Sequence, residues 1–347
     1  MVNIIDLRDE VLESLKGHIN DNYRILVVIV GPPGSGKSTV AERLKDSIND
    51  YYDNYCNVSK HAYLKCQKDD KDGLALLESI PDISEDTYNN LCVTDGKVLT
   101  ENVENYEYKP LKHRESDTSY TIIGRGGLSN SIRVSKSTVD DPKSGDEAVK
   151  IAEILPMDGF HISRHGLDKY RDPKQAHLRR GSPPTFDSNN FLQLCQIMVD
   201  TCNIKPKNGV INSNNYLDIL SSSFSTGVPT VEVPGFDHSL KDPTTNQYKI
   251  DYRTRIVILE GLYLLHNEEN WAKIHEVLHK TDAILMYRID IEEEKIQDRV
   301  AKRHLKSGLV ENLEQGIQKF QMNDLLNARN IKANFIEDDQ IRNIRND

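Results

Sequence analysis

Paired cysteines, long apolar runs and surplus positive charge are all missing from this chain of 347 residues, and each absence closes off a class of protein. The five cysteines (Cys56, Cys66, Cys92, Cys195 and Cys202) are odd in number and never spaced C-x-x-C, so neither a disulfide framework nor a zinc site is suggested. A reducing compartment is the default. No apolar run approaches the roughly 20 residues that span a bilayer. The opening "MVNIIDLRDEVLESL" mixes acidic residues with helical apolar spacing (Leu7, Val11, Leu15), unlike a signal or transit peptide. The expectation is a cytoplasmic protein with no membrane partner, the nucleus remaining open. A net charge of -10 argues against a nucleic-acid surface, because phosphodiester backbones are held mainly by Lys and Arg. Local basic clusters are therefore read first as sites for the phosphates of small molecules.

Charged residues make up 28% and hydrophobic residues 37%, a soluble globular composition, and the length suits either two domains or one large α/β domain carrying an insertion. Residues 31 to 39 read "GPPGSGKST" directly after the apolar run "ILVVIV". The spacing G-x-x-x-x-G-K-[ST] predicts a phosphate-binding loop formed by Gly31, Pro32, Pro33, Gly34, Ser35, Gly36, Lys37, Ser38 and Thr39. Its backbone N–H groups would cradle nucleotide phosphates at a helix N-terminus. Lys37 would reach the β- and γ-phosphates, and Ser38 would hold Mg²⁺. A buried-strand pattern before the loop and a helical one after it ("TVAERLKDSI") supply the context that the motif requires.

The next strand that reads as buried on both faces is "VKIAEILPM", more than a hundred residues beyond the loop. The interval holds "SYTIIGRGGLSNSIRV", with short β-branched alternation, and a turn-rich stretch "STVDDPKSGDE". It predicts a β-rich insertion at 65–148 within one domain spanning 1–347. Its ends should lie close together on the sheet, so that a short linker could replace it, and it is also a possible surface for self-association. Beyond it come a helix around "FLQLCQIMVDTC", strands "PTVEV", "RIVILE" and "AILMYRI", and two charged helices. Parallel strands alternating with helices imply a doubly wound sheet.

Ligands of such sheets bind beyond the carboxyl ends of the strands, which singles out three stretches. In "PMDGFH", Asp158 follows a strand; a helix cap is the plainer alternative. In "ILEGLY", Glu260 ends a strand and could hold Mg²⁺, with a cap or surface carboxylate as alternative. "VPGFDHSLKDP" reads as a Pro/Gly-rich loop gathering Phe236, Asp237 and His238.

Together "GPPGSGKST", "MDGFH", "RRGSPPTFD", "VPGFDHSLKDP", "VILEGLYLL" and "DRVAKRHLKSG" resemble, in this order, the P-loop kinases of the phosphoribulokinase, uridine kinase and bacterial pantothenate kinase family. The resemblance covers residues 20–60 and 150–345 and is nearest the "DGFH" branch. The long segment after the P-loop helix is similar to that of fungal ATP-dependent kinase-like proteins of unassigned substrate. The resemblance implies a P-loop NTPase fold, α/β, with a mostly parallel sheet, helices on both faces and a helical lid at 295–310. It implies ATP and Mg²⁺ as cofactors and a small-molecule hydroxyl (sugar, nucleoside or pantothenate-like) as phosphoryl acceptor. Asp158 would orient and deprotonate that hydroxyl, or else approach the metal. Arg299 and Arg303, on one helix face by their i,i+4 spacing, would close on the triphosphate. The "RRGSPPTFD" loop offers Arg179, Arg180 and Asp187 to the acceptor, solvated loop charges being the alternative. His161, Phe236 and His238 are further candidate contacts, with structural roles open for both histidines.

Two other classes compete: a P-loop switch or mechanical ATPase, and a retired kinase fold that binds a protein partner. The first lacks an N-K-x-D or L-S-G-G-Q stretch. The second is opposed by intact Lys37, Ser38, Asp158 and Glu260. Nothing in the sequence suggests a second sugar-phosphate clamp beyond the loop arginines.

Overall fold

The strand that leads into the P-loop, β1 (Ile25–Val30), is buried at all six positions, which a run of Ile, Leu and Val achieves only when both sheet faces are covered. The computed structural model describes residues 2–59, 66–69, 72–93, 103–139, 149–207 and 213–346. Alternate side chains of β1 enter opposite layers. Leu26, Val28 and Val30 pack with Phe191, Leu194, Trp271 and Ile274, on helices Ser188–Cys202 and Glu269–Leu278. Ile25, Val27 and Ile29 pack with Val11, Leu15, Leu44 and Ile48, on helices Ile4–His18 and Lys37–Ser59. Each such side chain contributes about 1.5–3 kcal/mol on full burial. No helix among the described residues is long and apolar enough to cross a membrane.

Ten strands are described in chain order: β1, β2 (Leu111–Ser116), β3 (Ser119–Ile123), β4 (Ile132–Ser135), β5 (Ala152–Pro156), β6 (Thr230–Asp237), β7 (Asp242–Ile250), β8 (Ile256–Gly261), β9 (Ile284–Asp290) and β10 (Ile341–Arg345). Five form a parallel sheet in the order β10-β9-β1-β8-β5. This is the expected doubly wound sheet, with helices on both faces. The other five form an antiparallel sheet, β2-β3-β4-β6-β7.

Two sequence expectations change here. "PTVEV" is not a strand of the parallel sheet, and "VPGFD" is not a loop. Both belong to β6, which pairs antiparallel with β4 (Arg133 opposite Glu232) and with β7. The Pro and Gly that suggested a loop coincide with a register irregularity between Val233 and Gly235. A bulge is where a sheet tolerates these residues.

The β-rich segment therefore shares its sheet with the later hairpin, and it also buttresses the "DGFH" turn. Asn130 donates through Nδ2 to the carbonyls of Gly159 (2.8 Å) and His161 (2.9 Å). The fully buried Arg125 donates to the Val103 carbonyl at 3.0 Å. Gly126 N–H donates to Asp187 Oδ2 at 2.6 Å. These contacts revise the excision expectation. Replacing 65–148 by a Gly/Ser linker would strip β6 of β4, one of its two partners, and orphan several buried polar groups at about 1–3 kcal/mol each. Domains hold only about 5–15 kcal/mol in all. The expected result is loss of the single cooperative unfolding transition in calorimetry. A linker variant that melts cooperatively near the parent temperature would refute it.

Candidate functional site

The loop Gly31–Ser38 bridges the carboxyl end of β1 and the helix Lys37–Ser59, and its turn requires left-handed backbone at Gly34 (φ 77°) and Gly36 (φ 86°). Gly36 has a second constraint: a Cβ there would stand 2.5 Å from Asn346 Nδ2. Asn346 follows β10, is buried, and donates through Nδ2 to the Ser35 carbonyl at 2.7 Å. The C-terminal strand thus fastens the P-loop from outside. Asn346 is invisible to motif reading, because "IRNIR" carries no motif and its role arises from pairing of β10 with β9. The Ser35 hydroxyl is buried without a partner among the described residues, which fits a loop shaped for phosphate oxygens.

Glu260 projects from β8, the neighbour of β1, with Ile29 directly opposite it. It accepts a hydrogen bond from Ser38 Oγ at 3.1 Å, and Lys37 Nζ lies 3.7 Å from the same oxygen. Burial pushes its pKa up to about 7, with Lys37 pulling it down and the nearby Asp158 charge pushing it up. A buried carboxylate beside a serine hydroxyl is an oxygen donor set suited to a hard cation, so Ser38 and Glu260 are the residues that could hold Mg²⁺. Neither the cap nor the surface alternative describes Glu260, which is 5% exposed and points at the P-loop. Its raised pKa has a stability consequence. The folded state binds this proton more tightly than the unfolded chain, so the contribution is fully present below pH 4.5 and lost as pH rises through about 7. Without nucleotide and Mg²⁺, Glu260→Gln should gain stability over the parent between pH 5 and 8. Chemical denaturation at both pH values would reveal it; an unchanged difference would show that Glu260 does not titrate there.

Asp158 lies in the tight turn Met157–Phe160 directly after β5. Its side chain is 43% exposed; among the described residues its one ion-pair contact within 4.0 Å is His161 Nδ1 and the turn has no side-chain capping bond, so the helix-cap alternative finds no support there. His161 Nδ1 lies 2.8 Å from the Asp158 carbonyl, and its ring packs on Phe186 and Phe236 at 4.0 and 4.8 Å. Burial holds the imidazole below its ordinary pKa. Gly159 makes the turn possible: a Cβ there would sit 2.1 Å from the Pro234 carbonyl oxygen of β6. That close approach sets the hairpin β6–β7 against the turn, and the hairpin itself carries a cleft of about 460 Å³ lined by Phe236, His238, Thr244, Gln247 and Tyr248. The last three lie on β7 and were not among the sequence candidates.

The "RRGSPPTFD" loop is close to this cleft, but its charges are committed. Arg179 donates to Asn323 Oδ1 (2.8 Å) and Asn327 Oδ1 (2.9 Å). Arg180 bonds Asp242 (2.7 Å), the Ile162 carbonyl (3.0 Å) and the Lys241 carbonyl, and covers the Phe236 ring. Asp187 corrects the sequence expectation of an acceptor contact: it is fully buried and caps helix Ser188–Cys202 through Asn190 N–H at 3.0 Å, its other oxygen being bonded to Gly126.

The helix Glu293–Lys306 buries Ile296 and Val300 toward the P-loop, where Val300 Cγ2 would meet a Cβ at Gly34 at 2.6 Å. Arg299 donates to the Asn346 carbonyl at 3.1 Å and borders Gly36. Arg303, one turn on, is exposed. A lid must admit nucleotide and then exclude water. Nucleotide is therefore expected to slow hydrogen exchange across 295–310. Identical exchange with and without a non-hydrolysable ATP analogue would leave this helix as static packing.

No family model matches the chain. It is 48% identical over 348 residues to the ATP-dependent kinase YFH7 of Candida glabrata, with 100% of both chains covered. Identity is 44% over 358 residues to that of Saccharomyces cerevisiae, again with full coverage of both. The crystal structure of the S. cerevisiae protein, described as a candidate P-loop kinase with a circular permutation, aligns with a TM-score of 0.90 at 43% identity over 100% of each chain. A kinase assigned to a fructose transport system in Silicibacter sp. shares the fold at a TM-score of 0.53 and 19% identity, with 99% of each chain covered. With its P-loop, its Glu260 pairing and its identity to these relatives along the whole chain, the protein belongs to the YFH7 family of ATP-dependent P-loop kinases.

Proposed function

We propose that the chain transfers the γ-phosphoryl group of ATP to a hydroxyl of a small metabolite seated at the cleft of the β6–β7 hairpin, which packs beside the "DGFH" turn. The observation that carries this reading is Asp158: a half-exposed carboxylate, free of any capping bond, at the carboxyl end of a sheet strand and close enough to the P-loop to raise the pKa of Glu260. Phosphoryl transfer requires in-line positioning and neutralisation of charge more than covalent chemistry.

In this mechanism the P-loop amides and Lys37 hold the β- and γ-phosphates. Asp158 orients the acceptor hydroxyl and takes its proton as the oxygen bonds to the γ-phosphorus. The bond to the β,γ-bridging oxygen breaks, and ADP departs with the electron pair. Ser38 and Glu260 would hold Mg²⁺, which when bound would supply charge neutralisation on the phosphates. Arg299 and the exposed Arg303 are the lid cations available to the triphosphate. His161 holds the Asp158 backbone in place, and Phe236 and His238 line the acceptor side.

Arg179 and Arg180 serve as struts between the acceptor loop, the hairpin and the C-terminal helices. Their commitment favours an uncharged polyol, nucleoside or pantothenate-like acceptor over a phosphorylated sugar. A metabolite library incubated with ATP and Mg²⁺ tests the proposal by mass. Gain of one phosphoryl group by a hydroxylic acceptor, with matching ADP, is expected. ADP release that no acceptor stimulates would favour the ATPase reading.

A further inference from the structure

Far from the P-loop cleft, three side chains converge with no part in the kinase site. His275 and His279 lie one turn apart at the end of helix Glu269–Leu278, and Asp338 precedes β10. Asp338 Oδ2 is 2.9 Å from His275 Nε2 and 2.7 Å from His279 Nε2, while the two Nε2 atoms are 2.9 Å apart. We propose that His275, His279 and Asp338 bind a divalent cation of the zinc class, which clips the C-terminal strand to this helix.

Proton counting supports the site. Each Nε2 offers either one N–H or one lone pair. With Asp338 ionised and both nitrogens protonated, two N–H groups crowd a single oxygen within an acute angle and face each other. With one nitrogen protonated, its N–H can bond either the carboxylate or the other ring nitrogen, and the acceptor left out faces a lone pair with no proton between them. A cation satisfies all three donors at once. Tetrahedral zinc at roughly 2.0–2.1 Å from each ligand sets donors about 3.3 Å apart, so the side chains need open by only about half an ångström. They have room: their exposures are 19%, 31% and 16%. Asp338 Oδ1 is already oriented by the Gln340 N–H at 2.8 Å, as the outer partner of a metal-bound carboxylate should be.

A cleft of about 400 Å³ beside His279 gives an ion and a fourth, water ligand access. Arg342 lines it but is paired with Glu10. Imidazole ligands select zinc-like ions over Mg²⁺. Cysteine spacing is silent on this site, because the His-x-x-x-His pair finds its carboxylate only through the pairing of β10 with β9. Because the residue after β10, Asn346, fastens the P-loop, an ion here would also steady the nucleotide site.

The metal-stripped full-length protein is titrated with Zn²⁺ by calorimetry in excess Mg²⁺, which saturates hard-cation sites. One equivalent should bind, with affinity falling at least about tenfold in His279→Ala and in Asp338→Asn and unchanged in the remote control His177→Ala. Zn²⁺ should also slow hydrogen exchange in residues 341–346. Co²⁺ read on the wild-type protein makes the test independent of variant folding: visible bands of a four-coordinate, nitrogen-ligated ion are expected. The spectrum of the hexa-aquo ion, absence of stoichiometric Zn²⁺ binding, or binding untouched by both variants would each overturn the proposal.

Discussion

Asp158→Asn is expected to lose about 10²–10⁴-fold in the rate of acceptor phosphorylation while ATP affinity changes by less than roughly tenfold. Asparagine keeps the size of the side chain and some hydrogen bonding but cannot take a proton. Half-exposed and uncapped, the side chain supports no local structure whose loss would confuse the result. A cap role would instead lower stability by about 1 kcal/mol and leave turnover near wild type. A purely metal-binding role would be rescued by raised Mg²⁺. The measurement is single-turnover phosphorylation at saturating ATP and Mg²⁺ with the acceptor found in the library. Wild-type turnover there would falsify the base assignment.

Lys37→Ala should weaken ATP binding by about 10²–10³-fold, the scale of removing one preorganised charge from a site that stabilises phosphate oxygens. The loop's other contacts are backbone dipoles. The same change removes the neutralising ammonium 3.7 Å from the buried Glu260, whose carboxyl should then hold its proton still more firmly. Folding should survive, since Glu260 can simply take up that proton. Titration calorimetry on the folded variant decides the matter, and unchanged ATP affinity would remove Lys37 from the nucleotide site.

Much of this protein is legible locally. The P-loop, β1, β8 and β9 are contiguous runs whose chemistry depends on their own residues: glycines for positive φ, and β-branched residues for strands covered on both faces. The carboxylates after β5 and β8 could be picked out because a parallel sheet directs its strand ends to one edge. Other assignments depended on pairing between distant segments. Asp187 reads as a free polar residue until Gly126, sixty-one positions earlier, is found bonded to it. "VPGFD" reads as a loop until β7 supplies its partner, and Arg180 reads as an acceptor contact until Asp242 claims it.

The sequence by itself determined that a phosphate-binding loop would follow β1, and in what kind of sheet, because a P-loop is built from consecutive backbone amides and needs no distant partner. Tertiary structure alone decided which charges remain for substrate, that the inserted strands complete the wall behind Asp158, and that Asn346 reaches the P-loop. A side chain's availability is a property of what packs against it, and in this fold the decisive neighbours come from the far side of the sheet order rather than from nearby in the chain.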